Sequence, residues 1–322
     1  MKLAVVVPIY NEEDNLPELS RRLADACGRV EGADWQVIYV DDGSTDKSAD
    51  LVMQQHRADP RFTLVRLSRN FGPYPALSAG LAHADADAVV TIDGDLQDPP
   101  EAIPDLVACW KDGGQVILAA RRSRQDRGLR RIGAGVFHKL FGVLNDFRVP
   151  ANTGIFGLLD RQAVEEFNRL PERNRYVPGL RYWIGFDRRV VYYDRLERAH
   201  GAPKQSLRRL VHLALDSIFS FSYKPLKLMT IAGVGISSMG FLVGVWYILK
   251  RLLGYETAQL GFTTLVTLVA FLGGIQLIAI GLLGQYLGRI YDEVKQRPLY
   301  IVRQRVGVAP SHDPGRERPV DP

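Results

Sequence analysis

Cysteine is scarce in this 322-residue chain: only Cys27 and Cys109 occur, in segments with helical patterning and with no metal-ligand spacing around them. That argues against a disulfide framework and against a zinc site. No cleavable leader is expected either. The opening MKLAVVVPIY has a lysine and a short apolar run, but Pro8, the polar residues that follow and the lack of a small-residue cleavage site read instead as a buried strand, so this part of the chain is expected to stay in the cytoplasm. Charge is nearly absent from residues 229 to 290, and the mean hydropathy of -0.07 therefore averages two unlike parts.

With 46% hydrophobic residues, the chain is long enough for one large α/β domain and something smaller. Its formal charge is +5, and Lys and Arg cluster at 121 to 131, 204 to 209, 224 to 227 and 289 to 305. Basic groups beside apolar spans suit anionic lipid headgroups, and no nucleic-acid partner is expected.

Residues 3 to 8, 36 to 40, 63 to 67 and 88 to 92 are short β-branched runs, typical of strands covered on both faces. Helical patterns separate them at 13 to 27, 46 to 56 and 73 to 84. This alternation predicts a doubly wound, mostly parallel Rossmann-like sheet with its functional loops at the strand C-termini. Those positions hold PIYNEE, DDGS and DGDLQD.

Met229 to Leu249 carries no charge, and its 21 residues match the roughly 20 that cross a hydrocarbon core; 262 to 284 repeats the pattern. Lys224, Lys227, Arg289, Lys295 and Arg297 flank the pair, which puts both chain ends in the cytoplasm of a multi-pass membrane protein. Before the first span, apolar residues from Leu207 to Phe221 recur at helical spacing opposite Lys204, Arg208, Arg209 and His212, the pattern of a helix lying in the membrane surface. Ile132 to Leu144 fits either that description or a helix packed on the sheet. The expected partition is a catalytic domain at 1–203, an amphipathic segment at 204–226, two membrane helices within 227–290, and a cytoplasmic tail at 291–322 whose Pro-rich end, from Gly307, is disordered.

In DGDLQDPPE, at 93 to 101, Asp93, Asp95 and Gln97 put oxygen donors on alternate positions, which suits a hard divalent cation neutralising a diphosphate. Tyr10 and Glu12 can offer a ring face and an acceptor to a nucleoside, and Asp41 and Asp42 can accept from a base or ribose. Each of these loops taken alone reads equally as an ordinary capped turn.

Together, V-x-P-x-YNEE-x-N, DDGS-x-D, N-x-G-x-x-x-A at 70 to 76 and DGDLQDPPE resemble the family 2 glycosyltransferases of the GT-A fold, over nearly the whole chain. PERNRYVPGLRYWIGF, RAHGAPK, ALDSIFSFSYKPL and the two spans narrow the resemblance to the polyprenyl-phosphate glycosyltransferases, the group of the dolichol-phosphate mannose synthases and the bacterial GtrB-like enzymes. It implies nucleotide-sugar contacts at Pro8, Tyr10, Glu12, Asp41, Asp42, Asn70 and Asp93. It implies an Mg²⁺ or Mn²⁺ site at Asp93, Asp95 and Gln97, and phosphate contacts at Arg121, Arg127, Arg130, Arg131, Arg198 and Lys204. The implied partners are a UDP- or GDP-sugar donor, a polyprenyl phosphate acceptor, membrane lipids and further copies of the chain in a homo-oligomer.

One stretch departs from the group. Where relatives often read G-D-F-R-L, residues 152 to 158 are Asn, Thr, Gly, Ile, Phe, Gly and Leu, so the acid and the arginine are both absent. A phosphate monoester is largely ionised at neutral pH, with a second pKa of about 6, and attacks without a protein base. The altered stretch therefore reads as a changed substrate contact. A processive synthase is the weaker enzyme reading, because Arg181, Tyr182 and Trp183 do not form a Q-x-x-R-W element and two spans build no pore; a non-catalytic scaffold keeping the fold is the competitor from another class.

Overall fold

A computed structural model of the chain describes residues 1–122, 153–173, 175–194, 224–253 and 261–310. The four predicted strands appear as β1 (Lys2–Ile9), β2 (Asp34–Asp41), β3 (Phe62–Leu67) and β4 (Ala88–Thr91). Between them lie α1 (Leu16–Gly28), α2 (Ser48–Ala58) and α3 (Pro73–His83). The chain continues through α4 (Ile103–Lys111), β5 (Val116–Arg121), β6 (Thr153–Asp160), α5 (Arg161–Arg169), α6 (Val177–Trp183) and β7 (Arg188–Tyr193). Two long helices, α7 (Lys224–Leu252) and α8 (Phe262–Val294), precede a last strand, β8 (Val302–Val306).

All eight strands join one sheet in the order β7-β5-β6-β4-β1-β2-β3-β8. Strands β1, β2, β3, β4, β5 and β7 run one way, while β6 and β8 run against their neighbours. The run of Val5, Val6 and Val7 is fully buried because helices cover both faces. On one face Leu16, Leu19 and Leu23 of α1 join Val52, Ile103 and Leu106 over Val5, Val7 and Val37. On the other, Leu77 and Leu81 of α3 meet Phe167 of α5 and Leu180 of α6 over Val6, Ile38 and Val40. Pro17 pre-sets the first turn of α1, as prolines do for α3, α4 and α6.

The partition at residue 203 leaves out one part of the sheet. After the second long helix the chain returns and lays β8 antiparallel on β3, with Leu67 opposite Val302 and the Ser68 amide donating to the Ile301 carbonyl at 2.9 Å. Tyr300 and Val302 are buried there, so the first part of the expected tail belongs to the catalytic core. Glu293, near the end of α8, also accepts from the Arg173 amide at 2.8 Å.

Both long helices are apolar enough to cross a membrane, over Leu226–Trp246 and Phe271–Val294, and neither window is buried by protein. Leu228, Phe241, Leu242, Leu277 and Ile278 all stand open, which a core helix would not tolerate. Of the amphipathic segment expected at 204–226, residues 204–223 lie outside the described residues, as does the 132–144 stripe, and 224–226 open α7.

Candidate active site

The parallel strands all end on one edge of the sheet, and β1 and β4 are the neighbours between which the strand order reverses. In doubly wound sheets that reversal opens the ligand crevice. The loops leaving β1, β2 and β4 meet there.

The first two loops brace each other. The Asn11 amide donates to Ser44 Oγ, the Thr45 amide to Asn11 Oδ1, the Glu12 amide to Ser48 Oγ and the Lys47 amide to Glu13 Oε2, all at about 3 Å. Glu12 also accepts from Asn15 Nδ2 at 2.6 Å, so part of its carboxylate serves as the entry to α1. Tyr10, by contrast, is 40% exposed, two residues beyond half-buried Pro8.

Asp41 is fully buried: Oδ1 accepts from the Ser44 amide at 2.8 Å, and Arg66 Nε lies 3.0 Å from Oδ2 in ion-pair contact without hydrogen-bond alignment. Asp42 accepts from the amides of Phe71 and Gly72 at 2.7 and 2.9 Å, clamping the exit of β3 where exposed Asn70 sits. Both aspartates thus hold loop backbone behind the rim, a use that the motif spacing does not distinguish from ligand contact. Burial pushes the Asp42 carboxyl up to about 6, aided by neighbouring Asp41 and opposed by those two amides.

In the β4 loop, burial alternates as the oxygen-donor pattern predicts. Asp93, Asp95 and Gln97 are half-buried while Gly94, Leu96 and Asp98 are buried. Leu96 takes a left-handed φ of 60°, and the turn is closed by the Gln97 amide donating to Asp95 Oδ1 at 3.2 Å. A leucine in that conformation is strained by roughly 1 to 2 kcal/mol, held here by burial of its side chain in the core.

Asp98, the last aspartate of the motif, is not among the sequence-predicted site residues, yet it organises this edge. It accepts a hydrogen bond from the Tyr193 hydroxyl at the end of β7, and Arg121 Nε donates to that same hydroxyl at 3.1 Å. Arg121 Nη2 stands 3.6 Å from Asp98. Burial alone would lower the Arg121 pKa; Asp98 and Tyr193 outweigh it and leave it raised, with Asp93 contributing. Arg121 is therefore a fixed cation at the rim rather than a free arm. Tyr74, behind the loop, is a further unforeseen neighbour: burial pushes its hydroxyl up, with Tyr176 and Asp93 adding to the effect. Arg127, Arg130, Arg131, Arg198, Lys204 and Asn152 lie outside the described residues.

This crevice and its carrier sheet coincide with a known sequence pattern: a family model described as "Glycosyl transferase family 2" matches residues 4–167. The chain belongs to glycosyl transferase family 2. Its relatives align along almost the whole length. An uncharacterized glycosyltransferase of Synechocystis sp. is 42% identical over 310 residues, 96% of each chain. The SfII prophage-derived bactoprenol glucosyl transferase of Shigella flexneri is 40% identical over 305 residues, 94% of this chain and 98% of its own. The prophage bactoprenol glucosyl transferase homolog of Escherichia coli is 38% identical over 305 residues, 94% of this chain and 99% of its own.

The Asp42 clamp gives this glycosyltransferase a pH signature. A carboxyl raised from 3.8 to about 6 on folding contributes stability that is full below about pH 4 and is lost as pH rises through 6. At 1.36 kcal/mol per unit the change is about 3 kcal/mol. Thermal midpoints of the wild type and Asp42→Asn, followed from pH 4 to 8 in detergent, should show the wild type losing ground to the variant as pH rises; parallel curves would refute the effect.

Proposed function

We propose that the chain transfers a glycosyl group from a nucleotide-sugar to the phosphate of a polyprenyl lipid at the cytoplasmic face of a membrane. The observation that carries this reading is where the second long helix rejoins the sheet. Val302, eight residues beyond the end of α8, pairs with Leu67 at the same edge on which Asp93, Asp95 and Gln97 open. The crevice thus lies on the side of the sheet reached directly from the candidate spans, where a lipid phosphate is available. The bactoprenol glucosyl transferases that match across 94% of the chain support the same acceptor.

The reaction is a displacement at the anomeric carbon. An oxygen of the lipid phosphate bonds to that carbon as its bond to the donor diphosphate breaks, the electron pair leaves with the nucleoside diphosphate, and the configuration inverts. The acceptor is already ionised at neutral pH, so the protein need not remove a proton. Positioning and charge compensation remain for it to supply.

Asp93, Asp95 and Gln97 would hold Mg²⁺ or Mn²⁺: two carboxylates and an amide oxygen, completed by substrate phosphates, suit such a cation, which when bound stabilises the departing diphosphate. Arg121 adds a cation fixed by Asp98 and Tyr193 at the same rim. Tyr10 offers an exposed ring to the nucleoside, while Asp41 and Asp42 keep the two loops around it in shape. An even number of crossings keeps β8 on the side of β1 to β7, consistent with both ends being cytoplasmic.

The test is a donor panel. Purified full-length protein, short polyprenyl phosphate and Mg²⁺ or Mn²⁺ are incubated with UDP- and GDP-sugars, UDP-glucose first, and the lipid is weighed by mass spectrometry. One donor should add a single glycosyl residue and release nucleoside diphosphate. Nucleotide binding without transfer from any donor would favour the scaffold reading instead.

A further inference from the structure

Arg181 is a large side chain that is wholly buried, on α6, and no carboxylate contacts it among the described residues. Taking a guanidinium out of water without a counter-charge is costly, and nearby hydrophobic packing would serve α6 equally well. Burial lowers its pKa only to about 10, so the side chain stays charged at neutral pH. What it gains is three acceptors from two strands. Nη2 donates to the Gly154 carbonyl, and Nη1 to the Ile155 carbonyl at 2.8 Å and to Thr91 Oγ1 at 3.4 Å. Thr91 in turn donates to the Ile155 carbonyl, which closes a small network between the end of β4 and the start of β6.

Both strand ends belong to the crevice. Thr91 lies two residues before Asp93, and a Cβ built on Gly154 would stand 3.6 Å from Arg121 Nη2, so the segment that Arg181 holds is the one over which Arg121 passes. The seat of the guanidinium also depends on the altered motif. A Cβ on Gly157 would fall 3.1 Å from Arg181 Nη1 and 2.3 Å from the Ile117 carbonyl oxygen. Ile155, in place of the motif's acid, is buried among Leu180 and Val177. The strand lacks an arginine at 157, and the guanidinium beside that position comes from a helix.

We propose that Arg181 is a positioning residue for the transfer reaction, its buried guanidinium locking the start of β6 to the end of β4 and so fixing Asp93 and Arg121 relative to each other. The proposal rests on the reading of Asp93 and Asp95 as the site of transfer.

The test uses full-length Arg181→Met, Arg181→Lys, Thr91→Val and the Thr91→Val/Arg181→Met double variant, with Asp95→Ala beside them. Each is assayed for kcat and for both KM values, corrected for the folded fraction. Arg181→Met should lose about 10²-fold in kcat, the scale of a small misplacement of reacting groups, with both KM values nearly unchanged. Arg181→Lys should recover part of that loss, since an ammonium can still reach Ile155 and Thr91. Thr91→Val, close to isosteric, should lose less in kcat, and the double variant should be no worse than Arg181→Met because both break one network.

A wild-type kcat in Arg181→Met, no recovery in Arg181→Lys, or multiplying losses in the double variant would each overturn the proposal. If Arg181→Met does not fold, Arg181→Lys and Thr91→Val still decide it, by the presence or absence of a kcat loss at unchanged KM. Transfer retained in Asp95→Ala would instead remove the reading of the site.

Discussion

Replacing Asp95 by alanine is expected to abolish transfer to polyprenyl phosphate, by about 10³-fold or more, while leaving the protein folded and inserted in the membrane. Both halves follow from where the residue sits. Asp95 is only half-buried, in a turn whose buried positions are Gly94, Leu96 and Asp98. The bond from the Gln97 amide is lost, which costs about 1 kcal/mol in a partly solvated turn. The leaving diphosphate would lose far more, because the proposed cation site is left with one carboxylate. Detergent extraction from membranes and the thermal midpoint should match the wild type, and the mass-spectrometric transfer assay should show no product. Transfer persisting in the variant, in the presence of a metal chelator, would show that the site lies elsewhere.

Gly43→Ala is expected to damage stability and donor binding together. Gly43 sits at φ +71°, and an added Cβ would lie 2.6 Å from the Arg69 carbonyl carbon and 2.8 Å from the Asn70 nitrogen. The left-handed backbone costs an alanine roughly 1 to 2 kcal/mol, and the overlap with backbone that cannot rotate away adds about 1 to 3 more. The clash cannot be relieved by moving one loop alone. The β3 exit is tied through Phe71 and Gly72 to Asp42, the residue just before Gly43. Donor KM should therefore rise as the thermal midpoint falls. Gly32→Ala is the matched control: its φ of +69° carries the same backbone strain, but nothing lies within 4 Å of the new Cβ. Equal losses in the two variants would mean that the contact with residues 69 and 70 is irrelevant.

The first half of the sheet was legible because its strands are continuous apolar runs alternating with apolar-striped helices, a pattern that local sequence carries by itself. Strand β8 was not. VRQRV reads as charged tail, since an edge strand keeps its outward positions polar and only its pairing with β3, more than 230 residues earlier, gives it meaning. Strand β7, with Arg188 and Arg189 at its start, is hidden in the same way.

The site divides similarly. The alternation of Asp93, Asp95 and Gln97 could be read directly, and the structure repeats it in their burial. The Asp98, Tyr193 and Arg121 cluster could not, because its members are brought together from the loop after β4 and from two strand ends. Arg181 was visible only inside PERNRYVPGLRYWIGF and as a mismatch to the Q-x-x-R-W element of processive synthases. Nothing in its neighbours foretells that a glycine at 157 clears room for it.

The return of the chain to β3 after α8 also sets a mechanical limit. Residues 295 to 301 are the whole connection between the second long helix and the sheet, and seven residues reach at most about 25 Å even when fully extended. With the two long helices placed in a bilayer, as proposed above, this short connection fixes the stand-off of the sheet and restricts its swing. Lengthening that connection would leave every contact in the crevice intact while letting the crevice drift from the plane in which lipid phosphates lie.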